Sequence, residues 1–197
     1  MTRGQAHTME GIVAGLLLLS AMVFALQMTA VTPLTASTSS QHIENQQQAA
    51  AEGVLATAGE TGALRRAVLY WNDTDGAFHG AENLSYYTNG PPPNEFGEIL
   101  DRTFERRGVA YNVYVTFLGV GDDYRDRRMV YQGVPSDNAV QASYTVTLAD
   151  DASIYDDDET KNATLTVSNA TSFYAQDTGT DSSLFNVVRI EVIAWRI

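Results

Sequence analysis

The hydrophobic pattern of this chain opens with a run that shows no period. From Gly11 to Val31 the residues are apolar or small, and Gln27 is the only strongly polar side chain among them. A bilayer core about 30 Å thick needs roughly 20 apolar residues in a helix, and this run has 21. It predicts a membrane-inserted helix over residues 11–32. A secretory signal has a shorter apolar region followed by an A-x-A-like cleavage site. The segment Thr32 to Ser37 contains no such site, so a retained helix is expected. Pro33 removes a backbone donor and crowds the preceding turn, which predicts a kink or break there.

A second, different pattern follows. Between residues 35 and 58 the chain is rich in Ser, Gln, Ala and Glu, with Ile43, Ala50, Ala51, Val54, Leu55 and Ala58 recurring at helical spacing. This predicts a polar stalk helix with one narrow apolar stripe. Gly59 and Gly62 punctuate it, and Ala63 to Trp71 reads as a short amphipathic helix with Leu64, Ala67, Val68 and Trp71 on one face. Residues 72–94 are loop-rich and end in three prolines. Asn94 then caps a helix carrying Phe96, Ile99, Leu100 and Phe104, which stops at Arg106-Arg107-Gly108. Beyond it, residues 109–118, 128–131, 139–148, 163–167 and 184–197 are rich in β-branched and aromatic residues, with polar–apolar alternation in 144–148 and 188–192. A sheet with one dry face needs helices to cover it. The expected fold class is therefore α+β: a long N-terminal membrane helix, then a head of helices packed on an antiparallel sheet of about four or five strands.

One carboxylate, Glu10, abuts the apolar run, with Arg3 and the amino terminus as the nearby cations. A lone carboxylate entering hydrocarbon costs a few kcal/mol or more unless it is paired or stays at the interface. The series Arg3, Gly4, Gln5, Ala6, then Glu10 and an uninterrupted apolar helix resembles the amino terminus of type IV pilin-like proteins, and among these the archaeal pilins and archaellins. The resemblance implies a leader removed by a prepilin peptidase on the cytoplasmic side, at Gly4–Gln5 or Gln5–Ala6. It also implies a new amino group that neutralises Glu10 of a neighbouring subunit in a filament core. Opposite charges sharing a low-dielectric site lose less than either alone. The family usually places Glu fifth in the mature chain; a cut after Gly4 makes Glu10 sixth, and a cut after Gln5 makes it fifth.

Charge sharpens the compartment. The 197 residues hold 24 Asp+Glu against 12 Lys+Arg, a formal net charge of −12, and Lys161 is the single lysine. Such a surface repels nucleic acid phosphates and anionic lipid, so no nucleic-acid partner is expected. Acidic residues with Arg in place of Lys resemble haloarchaeal proteins in general, which implies a halophilic archaeal habitat. With Arg3 as the only formally charged cation ahead of the apolar run, positive-inside bias places the N-terminus in the cytoplasm and the chain from about residue 34 outside. The expected division is 1–10 as leader, 11–32 as transmembrane or filament-core helix, 35–58 as stalk and 59–197 as an extracytoplasmic head. Zero cysteines leave an exported head without disulfides.

Candidate chemistry adds little. His7, His42 and His79 are scattered, and no HExxH, Gly-x-Ser-x-Gly or phosphate-cradling loop occurs. No catalytic residue, enzyme activity or cofactor is expected. Trp71 to Glu82 partly matches a calcium loop through Asp73, Asp75 and Glu82, but Trp71 stands where the first carboxylate belongs. Asp156 to Glu159 reads as a hydrated acidic turn. Sequons at Asn72, Asn83, Asn162 and Asn169 offer glycosylation sites on an exported surface. The functional expectation is a non-enzymatic type IV pilin-like surface subunit. Its partners would be other pilin-like subunits, the pilus assembly machinery, prepilin peptidase and the membrane. The alternative is a single-pass anchored extracytoplasmic binding or accessory protein that does not polymerise.

Overall fold

The computed structural model describes residues 3–81, 85–119, 121, 123–179 and 181–196, with the backbone alone at 3, 5, 6 and 28–40. The chain divides into two compact units, Met1–Ile43 and Glu44–Ile197. Helix α1 runs from Arg3 to Glu60. The interruption expected at Pro33 does not end the helix, and the separate membrane and stalk helices of the sequence reading are one element. Proline costs an interior helix one hydrogen bond and a clash, about 3 kcal/mol. Many uninterrupted turns on both sides outweigh a single lost bond.

In the first unit, His7–Gln27 is long and apolar enough to cross a membrane, and none of its residues is buried. Leu16, Leu17, Leu18, Leu19, Met22 and Phe24 are all exposed.

The second unit is mixed α+β. It begins before residue 59 because the last turns of α1 bury Ala51, Val54, Leu55 and Ala58 in the core. Gly59 lies inside this helix, where a Cβ would stand 2.4 Å from the Tyr144 ring. Gly62, at φ 75°, makes the turn into α2 (Ala63–Val68), whose Leu64, Ala67 and Val68 are buried as its stripe predicts. The chain then leaves the helix earlier than expected, and Trp71 opens a hairpin of β1 (Trp71–Asn72) and β2 (Ala77–Phe78). Helix α3 (Glu95–Thr103) starts where its cap predicts, with Asn94 Oδ1 accepting from Gly97 N at 3.0 Å. A 3-10 turn, Glu105–Arg107, and left-handed Gly108 end it.

Four strands form the main sheet in the order β4-β3-β8-β5, every pair antiparallel. They are β3 (Val109–Leu118), β4 (Tyr124–Tyr131), β5 (Val140–Ala149) and β8 (Leu184–Arg196). Their alternation buries Tyr111, Val113, Val115 and Phe117 of β3 and Val188, Ile190, Val192 and Ala194 of β8 in one core with the helices. Strand β4 begins four residues before its apolar end because Arg125, Asp126 and Arg127 lie on an edge strand, where charge is tolerated and blocks further pairing. A separate ladder joins β6 (Ser153–Tyr155) and β7 (Lys161–Thr166) across the acidic turn.

Candidate functional site

The N-terminal constellation sits on the first turns of α1. Gly4 is exposed, and its carbonyl accepts from Thr8 Oγ1 at 2.7 Å. The side chains of Arg3, Gln5 and Ala6 lie outside the described residues. Glu10 is exposed and has His7 Nδ1 3.5 Å away, one turn back. The sequence points to Arg3 and the amino terminus as the cations near Glu10; the described neighbour is His7, because spacing of three along a helix puts two side chains on one face.

The partial calcium match folds as a hairpin turn. Asp73 Oδ2 accepts from Thr171 N at 3.0 Å and Thr171 Oγ1 at 2.9 Å. Its Oδ1 accepts from Ser172 N at 2.6 Å and Ser172 Oγ at 3.0 Å, and Ser172 Oγ also donates to the Asp73 carbonyl at 2.7 Å. Burial pushes this carboxyl up, but the four hydrogen bonds outweigh it and hold the group below its ordinary value. Both oxygens are thus committed to clamping the loop before β8 onto the β1–β2 turn. Asp75 Oδ2 accepts from Asn72 Nδ2 at 2.7 Å, and Glu82 lies outside the described residues. No group of three or more His, Asp or Glu side chains converges among the described residues.

The sequons hold turns together. Asn72 Oδ1 accepts from the backbone N–H of Thr74 and Asp75 at 2.9 and 3.1 Å. Asn162 Oδ1 accepts from Thr164 N and Leu165 N, while its amide donates to the Asp156 carboxylate at 3.0 Å. Asn169 is exposed and donates to Thr164 O at 2.9 Å. Asn83 lies outside the described residues. In the acidic turn, Asp158 accepts from Thr160 Oγ1 at 2.6 Å and Thr160 N at 3.0 Å, which lowers its pKa.

The tyrosines divide between core and surface. Tyr87 and Tyr111 are buried, and burial raises both hydroxyls far above the ordinary value. Tyr174, raised by burial too, donates to Val68 O at 2.8 Å and stacks among Trp71, Phe78, Phe117 and Phe173. The Arg127 guanidinium lies 4.7 Å from the Trp71 ring centroid and donates to Gly76 O at 2.9 Å. These contacts fasten the hairpin to the sheet edge. Nothing in the local sequence around Arg127 announces them, because its partners lie some fifty residues away.

The model of a family of unknown function, DUF7288, matches residues 3–194. The chain belongs to this family. No curated protein and no solved structure matches it. The DUF7288 match runs through the apolar helix as well as the sheet domain, so both units are part of one family pattern. Within this DUF7288 chain, the structure brings Glu10 to His7, Asp73 to Thr171 and Ser172, the Asn72 sequon to Asp75 and the Asn162 sequon to Asp156.

Proposed function

We propose that this chain is a non-enzymatic type IV pilin-like cell-surface subunit, anchored and assembled through its N-terminal helix and presenting its acidic domain outside the cell. The observation that carries this reading is the segment His7–Gln27, an apolar helix with no buried residue and with Glu10 at its start. In water, that much exposed Leu, Met and Phe is unfavourable at about 25 cal/mol per Å². A membrane or the helices of neighbouring copies would cover it. In a bundle of such helices, Glu10 meets the amino group that leader removal at Gly4–Gln5 or Gln5–Ala6 exposes on a neighbour, and the attraction sets the register of packing. His7 remains on the mature chain after either cut, one turn from the carboxylate.

In this reading the N-terminus is cytoplasmic before processing, the domain from residue 44 onward is extracytoplasmic, and the setting is a halophilic archaeal surface. The anchored, non-polymerising alternative is supported by the spacing from Gly4 to Glu10, one residue longer than a cut after Gly4 should leave. Replacing Glu10 by Ala separates the two. A filament subunit should drop out of sheared surface fractions by tenfold or more while membrane levels of the chain stay unchanged. Equal recovery of mutant and wild type in those fractions removes Glu10 from the mechanism.

A further inference from the structure

The outer face of the main sheet is polar along most of its length, but at one end it hollows into a cleft of about 310 Å³. Ligand sites run from about 300 to 1,000 Å³, so this volume suits one small molecule. Three features set it apart from an ordinary wet sheet face. The first is apolar exposure: five large hydrophobic side chains are exposed among the described residues of Glu44–Ile197, and three of them, Tyr124, Leu184 and Val187, line this cleft together with Leu118. The second is a cation without a partner. The Arg189 side chain lies in the cleft and makes no ion pair or hydrogen bond among the described residues, in a chain with a net charge of −12. The third is hydroxyl placement. Thr145 and Thr116 are the residues paired with Arg189 on the two neighbouring strands. Thr116 Oγ1 already donates to Asp126 at 2.7 Å, and Thr178 Oγ1 to Phe185 O at 3.1 Å, so these two turn methyl groups and lone pairs to their surroundings. The Thr145 hydroxyl has no such partner among the described residues and stands beside Arg189 as a second donor.

The cleft is also built in advance. The buried Asn186 donates to Leu118 O and to Gln176 O, both at 2.8 Å, and accepts from Leu118 N at 3.3 Å. Thr178 N donates to Phe185 O at 2.9 Å. One side chain thereby joins the end of β3 to the loop carrying Thr178.

We propose that this cleft binds a small organic acid, a single carboxylate on a compact apolar ring or chain. The carboxylate takes two parallel bonds from the Arg189 guanidinium and one from the Thr145 hydroxyl, because a planar fork matches a carboxylate's geometry. The apolar body lies against Leu118, Leu184 and Val187, with Tyr124 at the rim. An acid lacking the body loses the apolar contact, and a neutral isostere lacking the charge leaves Arg189 unanswered.

The test uses the full chain in detergent micelles, with methyl and amide chemical shifts followed during titration of benzoate, benzamide and acetate. Benzoate should give saturable shifts at Thr145, Val187 and Leu184 and bind at least tenfold more tightly than benzamide or acetate. Arg189→Gln should abolish the preference for benzoate over benzamide while the remaining spectrum stays superimposable on the wild type. Thr145→Val, a milder change, should weaken benzoate several-fold. No saturable benzoate binding, equal affinity for benzamide, or an unchanged preference in the Arg189→Gln chain overturns the proposal.

Discussion

Asp73 shows how much one side chain can organise. Its carboxylate closes four hydrogen bonds to Thr171 and Ser172, nearly a hundred residues away in sequence. Hydrogen bonds to a charged group contribute about 1.5–3 kcal/mol. Asp73→Ala should therefore lower unfolding stability by about 2–3 kcal/mol, read from the urea midpoint. The pH dependence follows from the lowered pKa. A carboxyl whose folded value is depressed contributes fully above its unfolded value, near 4, and loses that contribution as pH falls through the folded value. Wild-type stability should fall as pH drops below about 4, and the Asp73→Ala chain should lose less over the same interval. Identical slopes in the two chains would remove Asp73 from acid sensitivity. From sequence alone the same residue suggested a calcium ligand, since a carboxylate in a Gly-containing turn has that appearance whichever donors the fold brings to it.

At the scale of elements, two glycines test how closely the covering helices sit. A Cβ at Gly97 would lie 1.8 Å from the carbonyl oxygen of Pro92, a backbone atom held by the proline run. At Gly59 the obstacle is the Tyr144 ring, a side chain that is partly exposed and can swing away. Overpacking typically costs about 1–3 kcal/mol. Gly97→Ala should reach or exceed the upper end, and Gly59→Ala should cost less than half as much, compared by thermal unfolding of the two chains. The reverse order would mean that α3 is free to shift and α1 is not.

Much of this level was legible. Asn94 and the stripe from Phe96 to Phe104 mark the start and face of α3, the expected stop at Arg106-Arg107-Gly108 falls on the 3-10 turn beyond its end at Thr103, and β3 and β8 follow from dense β-branched runs. The elements that escaped are short or conflicted. Trp71–Asn72, Ala77–Phe78 and Ser153–Tyr155 hold too few residues for a period to show, and the charged start of β4 is stabilised by pairing with β3 rather than by its own composition. Pro33 misled in the other direction: a local breaker lost to the length of the helix around it. The outer cleft escaped as well, since Arg189, Thr145 and Leu118 come from three strands and share no sequence neighbourhood.

For the whole molecule, the excess of carboxylates sets solution behaviour. Twenty-four acidic against twelve basic residues repel one another in dilute buffer, and salt screens that repulsion over about 10 Å at 0.1 M and 3 Å at 1 M. The thermal midpoint of the chain should rise between 0.1 and 1 M sodium chloride, and a fall would argue that attractive ion pairs dominate. Among the described residues, the arginine ion pairs Arg66–Glu95, Arg102–Glu98 and Arg106–Asp101 are partly or fully exposed, and pairs of that kind contribute little.

The functional account rests on the first ten residues more than on any other part of the chain. In the proposed reading, leader, Glu10 and apolar helix form a working unit only if the leader is removed, which leaves the apolar helix with a free amino group near a carboxylate. The direct measurement is mass spectrometry of the mature N-terminus in membrane and surface fractions of cells that express the chain. The account predicts a start at Gln5 or Ala6, and a terminus intact at Met1 or Thr2 would contradict it.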